Sequence, residues 1–226
     1  MKAIEPIKKY IALTSIVIIN TFWVFPYMKK KYVNFFTNKA EVTHIVFLDI
    51  SVDNLPKVRL DIGLFGNQSP KNINNLLHFI AKTGKKVRNN LSYDDTNFFK
   101  IVPKFIMQGG DIEKNDGTGH TSVYNNEYIE DEINKDLTFC EPGLVALANK
   151  GKNTNGSQFF ITLDELPELD GNYTIVGRVL KGYDKLKTIS SLCGSIEGNA
   201  LCNVKITDTG LYNYDDYKKG TNKIEI

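Results

Sequence analysis

Residues able to do acid–base, nucleophilic or metal chemistry are few and widely spaced in this 226-residue chain. Its three histidines, His44, His78 and His120, are too scattered to suggest a metal cluster, and Cys140, Cys193 and Cys202 form no Cys-x-x-Cys pair for zinc or redox work. Gly117-Thr118-Gly119-His120 has a superficial phosphate-binding look, but it lacks the lysine and helix context of a P-loop. Only Arg59, Arg88 and Arg178 can offer a planar bidentate fork, and the formal charge of +2 argues against a nucleic-acid binder. With 26 acidic and 28 basic residues, no triad and no cofactor motif, the chemistry left is that of shape: an apolar pocket, amides that pair with a peptide backbone, and an occasional cation. Two segments are dense in such groups. One runs from Phe98 to Asp111 (FFKIVPKFIMQGGD), and the other is GLVALAN at Gly143–Asn149 followed by NTNGSQFFIT at Asn153–Thr162.

The elements that must position these segments can be read from periodicity. Thr43–Val52 and Lys57–Phe65, joined by a turn at Asp53-Asn54-Leu55-Pro56, predict a β-hairpin. Ser69-Pro70 predicts an N-cap with proline at the first helical position, and Ile73, Leu76, Leu77 and Ile80 continue at helical spacing until Gly84. Further strands are predicted at Asn97–Met107, Gly143–Ala148, Gln158–Leu163, Tyr173–Leu180 and Val204–Thr209. A second helix is predicted at Tyr183–Leu192, with Leu186 and Ile189 facing inward. Many short strands and two helices predict an all-β fold, a closed antiparallel barrel that removes exposed edges.

Outside this region, Tyr10–Met28 carries no charge, and its nineteen residues would rise about 28 Å as a helix, close to a bilayer's hydrocarbon thickness. Lys8 and Lys9 precede it, Lys29, Lys30 and Lys31 follow it, and Trp23 and Tyr27 suit an interfacial belt. A membrane helix or signal-anchor over 1–28 is the preferred reading, with a cleaved signal peptide and a buried helix as the alternatives. The lysines on both flanks leave its orientation open. The expected domains are this segment, a polar linker at 29–41, a barrel at 42–212 and a loosely ordered polar tail at 213–226. The chain is expected to be a membrane-associated, single-pass protein of the secretory or endomembrane system, and a monomer. Glu130-Asp131-Glu132 reads as a solvated loop face.

The two dense segments closely resemble the signature segments of the cyclophilins, the peptidyl-prolyl cis-trans isomerases. Leu64-Phe65 to Pro70 with Asn75, Asp116-Gly117-Thr118-Gly119, Leu169-Asp170-Gly171 and Val176-Gly177-Arg178-Val179 extend the similarity over about residues 42 to 212. The resemblance implies an eight-stranded closed antiparallel β-barrel with two capping helices, an activity on X-Pro bonds of proline-containing peptides or client proteins in protein folding, and no cofactor or metal. It implies a proline pocket at Phe105, Ile106, Phe160, Leu169 and Tyr173. It further implies contact with the substrate backbone at Gln108 and Asn149, a neighbouring groove at Ala148, Thr154 and Asn155, and a secondary pocket at Gly117 and Thr118.

Four positions depart from the family pattern. Its catalytic arginine is Lys100 here, the preceding histidine is Phe99, the pocket-rim tryptophan is Glu168 and a rim histidine is Tyr173. Lys100 keeps the charge and loses the planar fork, which implies weakened isomerase activity or, as the alternative, a nearly inactive proline-peptide-binding module. Glu168 implies weak cyclosporin binding, and would mask Lys100 if it reached it. Cys193 and Cys202 bracket the loop before the last strand; they could pair in an oxidising compartment, and are otherwise buried thiols.

Overall fold

The computed structural model describes residues 40–53, 55–81, 91–125, 128–221 and 224–225. The expected hairpin is present: β1 (His44–Val52) pairs antiparallel with β2 (Val58–Leu64), from His44 opposite Leu64 to Ile50 opposite Val58. Then come α1 (Pro70–Ile80), β3 (Lys100–Ile101), β4 (Ile106–Gly109), β5 (Leu144–Leu147), β6 (Phe159–Thr162), β7 (Ile175–Lys181), α2 (Tyr183–Cys193), β8 (Val204–Tyr212), α3 (Tyr214–Lys218) and β9 (Ile224–Glu225).

The run Asn97–Met107 is not one strand but the start of a hairpin. Its turn holds Pro103 and, at φ 60°, Lys104, and Phe105 N donates to Val102 O at 3.1 Å. Proline supplies no ladder donor and left-handed backbone breaks an extended run, so the chain reverses. That reversal sets β3 against β4.

All nine strands lie in one antiparallel sheet in the order β3-β4-β6-β5-β7-β2-β1-β8-β9. The expected closed barrel is corrected: eight strands form a coiled half-barrel whose regular ladders do not close, and the two-residue β9 extends the edge of β8. Across the gap the chain before β3 meets β8 through a single bridge, Asn97 to Lys205, with Phe98 N donating to Val204 O and Ile206 N to Thr96 O, both at 2.8 Å. A turn at Tyr93–Thr96, with Asp95 at φ 65°, keeps this segment too irregular for a ladder.

Strand alternation sorts the apolar residues. Leu48, Ile50, Leu60, Ile62, Ile101, Met107, Val145 and Ile161 point into the half-barrel. Ile73, Leu76 and Phe79 of α1 and Leu186 and Ile189 of α2 cover it. Each such side chain contributes about 1.5–3 kcal/mol through removal from water.

Three expectations change at the element ends. The Ser69 side chain does not cap α1; its hydroxyl donates to Ile175 O at 3.3 Å. The amides of Lys71 and Asn72 are capped instead by the carboxylate of Glu132, at 3.2 and 2.9 Å, so this part of the acidic triplet is a cap rather than a solvated face. The polar tail forms α3, with Asn213 accepting from Asp216 N at 3.1 Å, and Tyr217 donates to the buried Asp61 at 2.8 Å. The apolar stretch 10–28 and Gly84 lie outside the described residues. Among the described residues no helix is long and apolar enough to cross a membrane.

Candidate active site

The register carries chemistry-bearing residues onto one face. Residues directly opposite in an antiparallel pair project on the same side. Lys100 stands opposite Gln108, Gln108 opposite Phe160, and Phe160 opposite Ala146, so a row crosses four strands on the outer face. The neighbouring row, Ile101, Met107, Ile161 and Val145, points the other way into the core. The site therefore lies outside the half-barrel, on a face whose underside is fully packed.

Phe160, 2% exposed, is the floor. It stacks on Phe139 at 6.0 Å and 22°, and meets Tyr173 edge-on at 5.2 Å and 88°. Ile106 is buried beside it, while Phe105, Ala148, Leu169 and Tyr173 are half-buried against the same cluster. A 3₁₀ turn at Pro167–Leu169 presents Leu169, anchored by Leu166 N donating to Phe139 O at 2.7 Å. Phe105, Ile106, Phe160, Leu169 and Tyr173 thus form one apolar surface with an accessible rim.

A cavity of about 200 Å³ adjoins it, lined among others by Gln108, Gly117, Ala148, Asn149, Thr154 and Gln158. Asp111 builds its glycine-rich wall. Oδ1 accepts from the amides of Glu113 (3.2 Å) and Lys114 (3.0 Å). Oδ2 accepts from Asp116 (3.2 Å), Gly117 (2.8 Å) and Gly119 (3.0 Å). Burial pushes the Asp111 carboxyl up, but the amides of Lys114, Gly119, Gly117 and Glu113 outweigh it and hold the group below the usual carboxylate range. Gly117 sits at φ +89°, and a β-carbon there would meet the ring of Phe99 at 2.7 Å, so the residue replacing a histidine packs on this wall. On the far side of Asn149 a wider groove of about 820 Å³ is lined by Asp131, Lys152, Glu168, Leu169 and Tyr173.

Two expected residues do not line this cavity. Thr118 is exposed, its hydroxyl donating to Asp116 at 2.7 Å. Asn155 is fully buried and turns inward, its amide donating to Asp131 Oδ1 at 2.9 Å and Glu130 O at 3.3 Å, so it braces the loop beneath. Sequence reasoning missed Gln158. Its Nε2 donates to Gly117 O (3.1 Å) and Gly119 O (2.8 Å), and its Oε1 accepts from Gln108 Nε2 (3.1 Å), which fixes the direction of Gln108. The available signal was an amide at the head of an otherwise apolar strand. Lys150 was missed as well; its Nζ donates to Thr118 O at 3.3 Å beside the cavity.

Lys100 is half-buried and forms no ion pair among the described residues, and Glu168 is exposed. The two do not pair, so Glu168 does not mask the cation.

A face with an apolar floor, directed amides and one cation suits an extended peptide, and the comparisons agree. The family model for "Cyclophilin type peptidyl-prolyl cis-trans isomerase/CLD" matches residues 47–211. The chain is 38% identical over 170 residues to the E3 SUMO-protein ligase RanBP2 of Homo sapiens, covering 75% of this chain and 5% of that protein. It is 32% identical over 169 residues to the rhodopsin-specific peptidyl-prolyl cis-trans isomerase of Calliphora vicina, covering 75% of this chain and 70% of that one. It is 35% identical over 174 residues to peptidyl-prolyl cis-trans isomerase CYP21-1 of Arabidopsis thaliana, covering 75% and 76%. A family match across most of the chain, joined to this fold and this peptide-shaped face, places the protein in the cyclophilin-type peptidyl-prolyl cis-trans isomerases.

Proposed function

We propose that this chain isomerises X-Pro bonds in client polypeptides, with Lys100 as the donor, at a rate below that of relatives with arginine at this position. The observation that carries the reading is the row Lys100–Gln108–Phe160 on one face, beside the apolar surface of Phe105, Ile106, Leu169 and Tyr173. The barrier to peptide rotation is about 18–20 kcal/mol and comes from amide resonance. No bond to a heavy atom breaks, so the protein needs only to favour the twisted state over both planar ones.

The proline ring seats on Phe160 between Phe105 and Leu169. Gln108, aimed by Gln158, and the backbone at Asn149 hold the flanking peptide. In the twisted amide the prolyl nitrogen loses conjugation and gains a lone pair, and the Lys100 ammonium donates towards it. Removing one preorganised donor at other sites costs on the order of 10²–10³ in rate. Lysine keeps the charge on a mobile stem, so its deficit is smaller than that of deletion.

The test is an isomerisation assay on a proline peptide with Lys100→Arg and Lys100→Ala. A rise with arginine and a fall of about tenfold or more with alanine support the reading. An unchanged rate in Lys100→Ala with peptide still bound assigns the groove to binding alone. In the same reading Glu168 withholds an apolar contact from cyclosporin, and residues 10–28 tether the domain 42–212 to a membrane. Protease protection of intact and detergent-opened vesicles tests that tether and its side.

A further inference from the structure

Cys193 closes α2 and Cys202 precedes β8, nine positions apart, and their sulfurs are joined in a disulfide. Leu201 N donates to Cys193 O at 2.7 Å, so the ends of the enclosed segment 194–201 are drawn together twice. That segment lies along the one edge of β3 that β4 does not occupy. Ala200 N donates to Phe99 O at 3.3 Å, Ile101 N to Gly198 O at 2.8 Å, and Ser195 N to Ile101 O at 3.0 Å. Asn199 forms an isolated antiparallel bridge with Lys100 itself. β3 is only two residues long, so half of the backbone support around Lys100 comes from this segment.

The side chain is held as well. Gly198 has φ +99°, and a β-carbon there would stand 3.5 Å from both Cγ and Cε of Lys100, so the lysine stem lies along the glycine. Ile196 is 97% exposed and Leu201 69% exposed, so the apolar anchoring of the loop rests on the half-buried Ala200. Cys193 is fully buried, whereas Cys202 is half-buried and is the sulfur within reach of a reagent.

We propose that the Cys193–Cys202 disulfide is a redox-operated latch on segment 194–201: oxidised, it holds Lys100 in place for catalysis, and reduction by a dithiol releases it. The proposal rests on the reading of Lys100 as the donor. In the reduction a dithiol's thiolate attacks Sγ of Cys202, and Cys193 leaves as a thiolate and takes up a proton. The second thiol of the reductant then attacks the mixed disulfide and releases Cys202. Two electrons and two protons pass to the protein, and the dithiol becomes a disulfide. The barrel persists, because β4, β6, β5 and β7 pair with one another and the apolar floor is built from residues outside segment 194–201.

The experiment uses the full chain, oxidised and after dithiothreitol, with Cys202→Ser and Lys100→Ala alongside. The readouts are amide hydrogen exchange at residues 99–101 and 195–201 and steady-state proline isomerisation. Reduction is expected to speed exchange at Ile101, Ser195 and Ala200, and to lower kcat about tenfold with little change in KM, as small misplacements of a catalytic group do. Cys202→Ser should behave as the reduced form with or without dithiothreitol, and Lys100→Ala should lose the kinetic response. Unchanged exchange, three free thiols in the oxidised chain where the bridge leaves only Cys140 free, or an equal response in Lys100→Ala would each overturn the latch. A chain inactive in both states whose exchange still responds overturns the isomerase reading and the catalytic half of the latch with it.

Discussion

Asp111 supports the wall of the cavity beside Gln108, and its replacement can be worked through in energy. Five backbone amides converge on one carboxylate, two on Oδ1 and three on Oδ2. Asparagine retains one acceptor oxygen, so even in its better orientation two amides face an NH₂ group that cannot accept. Hydrogen bonds to a charged group contribute about 1.5–3 kcal/mol each, and water recovers part of that at half-exposed donors. The net expectation is a loss of about 3 kcal/mol for Asp111→Asn and about 4 kcal/mol for Asp111→Ala, against a typical domain stability of about 5–15 kcal/mol.

Urea unfolding at neutral pH measures the loss directly. A second signature follows from protonation. The folded-state pKa of Asp111 lies below the usual value, so the wild type's advantage is complete above about pH 4 and drains away as pH falls through the folded pKa. Asparagine has no proton to gain there, and the gap between wild type and Asp111→Asn should narrow on acidification. A gap below about 1 kcal/mol at pH 7, or one that stays constant down to pH 3, would refute the claim that the carboxylate organises this turn.

Gln158→Leu removes the acceptor that aims Gln108 and the donor to Gly117 and Gly119, and should lower kcat/KM on a proline peptide by about tenfold, the equivalent of one lost hydrogen bond. Glu168→Trp restores an aromatic to the rim beside Leu169 and Tyr173, and calorimetric titration should show cyclosporin binding at least about tenfold tighter than in the wild type. Tyr217→Phe deprives the buried Asp61 of one of its two tyrosine donors, and urea unfolding should register a loss of about 1 kcal/mol without any change in isomerisation.

What the sequence made legible was local. The hairpin of β1 and β2, the body of α1 and the apolar runs of β5, β6 and β7 follow from periodicity, because each is decided by alternation within a few residues. What it hid depends on partners distant along the chain. Glu132 caps a helix 60 residues before it, Tyr217 docks on Asp61 156 residues away, and the half-barrel gap depends on how Asp95 turns the chain beside β8. Asn155 has a plausible site position by resemblance, yet its burial against Glu130 and Asp131 makes it a brace. Gln158 looks like one more strand residue until its amide is seen holding two carbonyls and Gln108.

The position that departs most from its family is held by its backbone and stem, while its charged head has no fixed partner among the described residues. Gln108 is fixed by Gln158, and Phe160 by Phe139 and Tyr173, so their conformations are set before any peptide arrives. Lys100 sits on a two-residue strand, half-exposed, with its stem along a glycine and without an ion pair among the described residues. Among the described residues no ion pair ties the Lys100 ammonium, so its replacement by arginine breaks none. Packing is therefore indifferent to which cation stands at residue 100, and in the proposed mechanism the difference between them falls on the donor geometry offered to the twisted amide. That is why Lys100→Arg should change the isomerisation rate while leaving the urea midpoint where it is, and a shift in that midpoint of more than about 1 kcal/mol in stability would show that the fold had adapted to lysine after all.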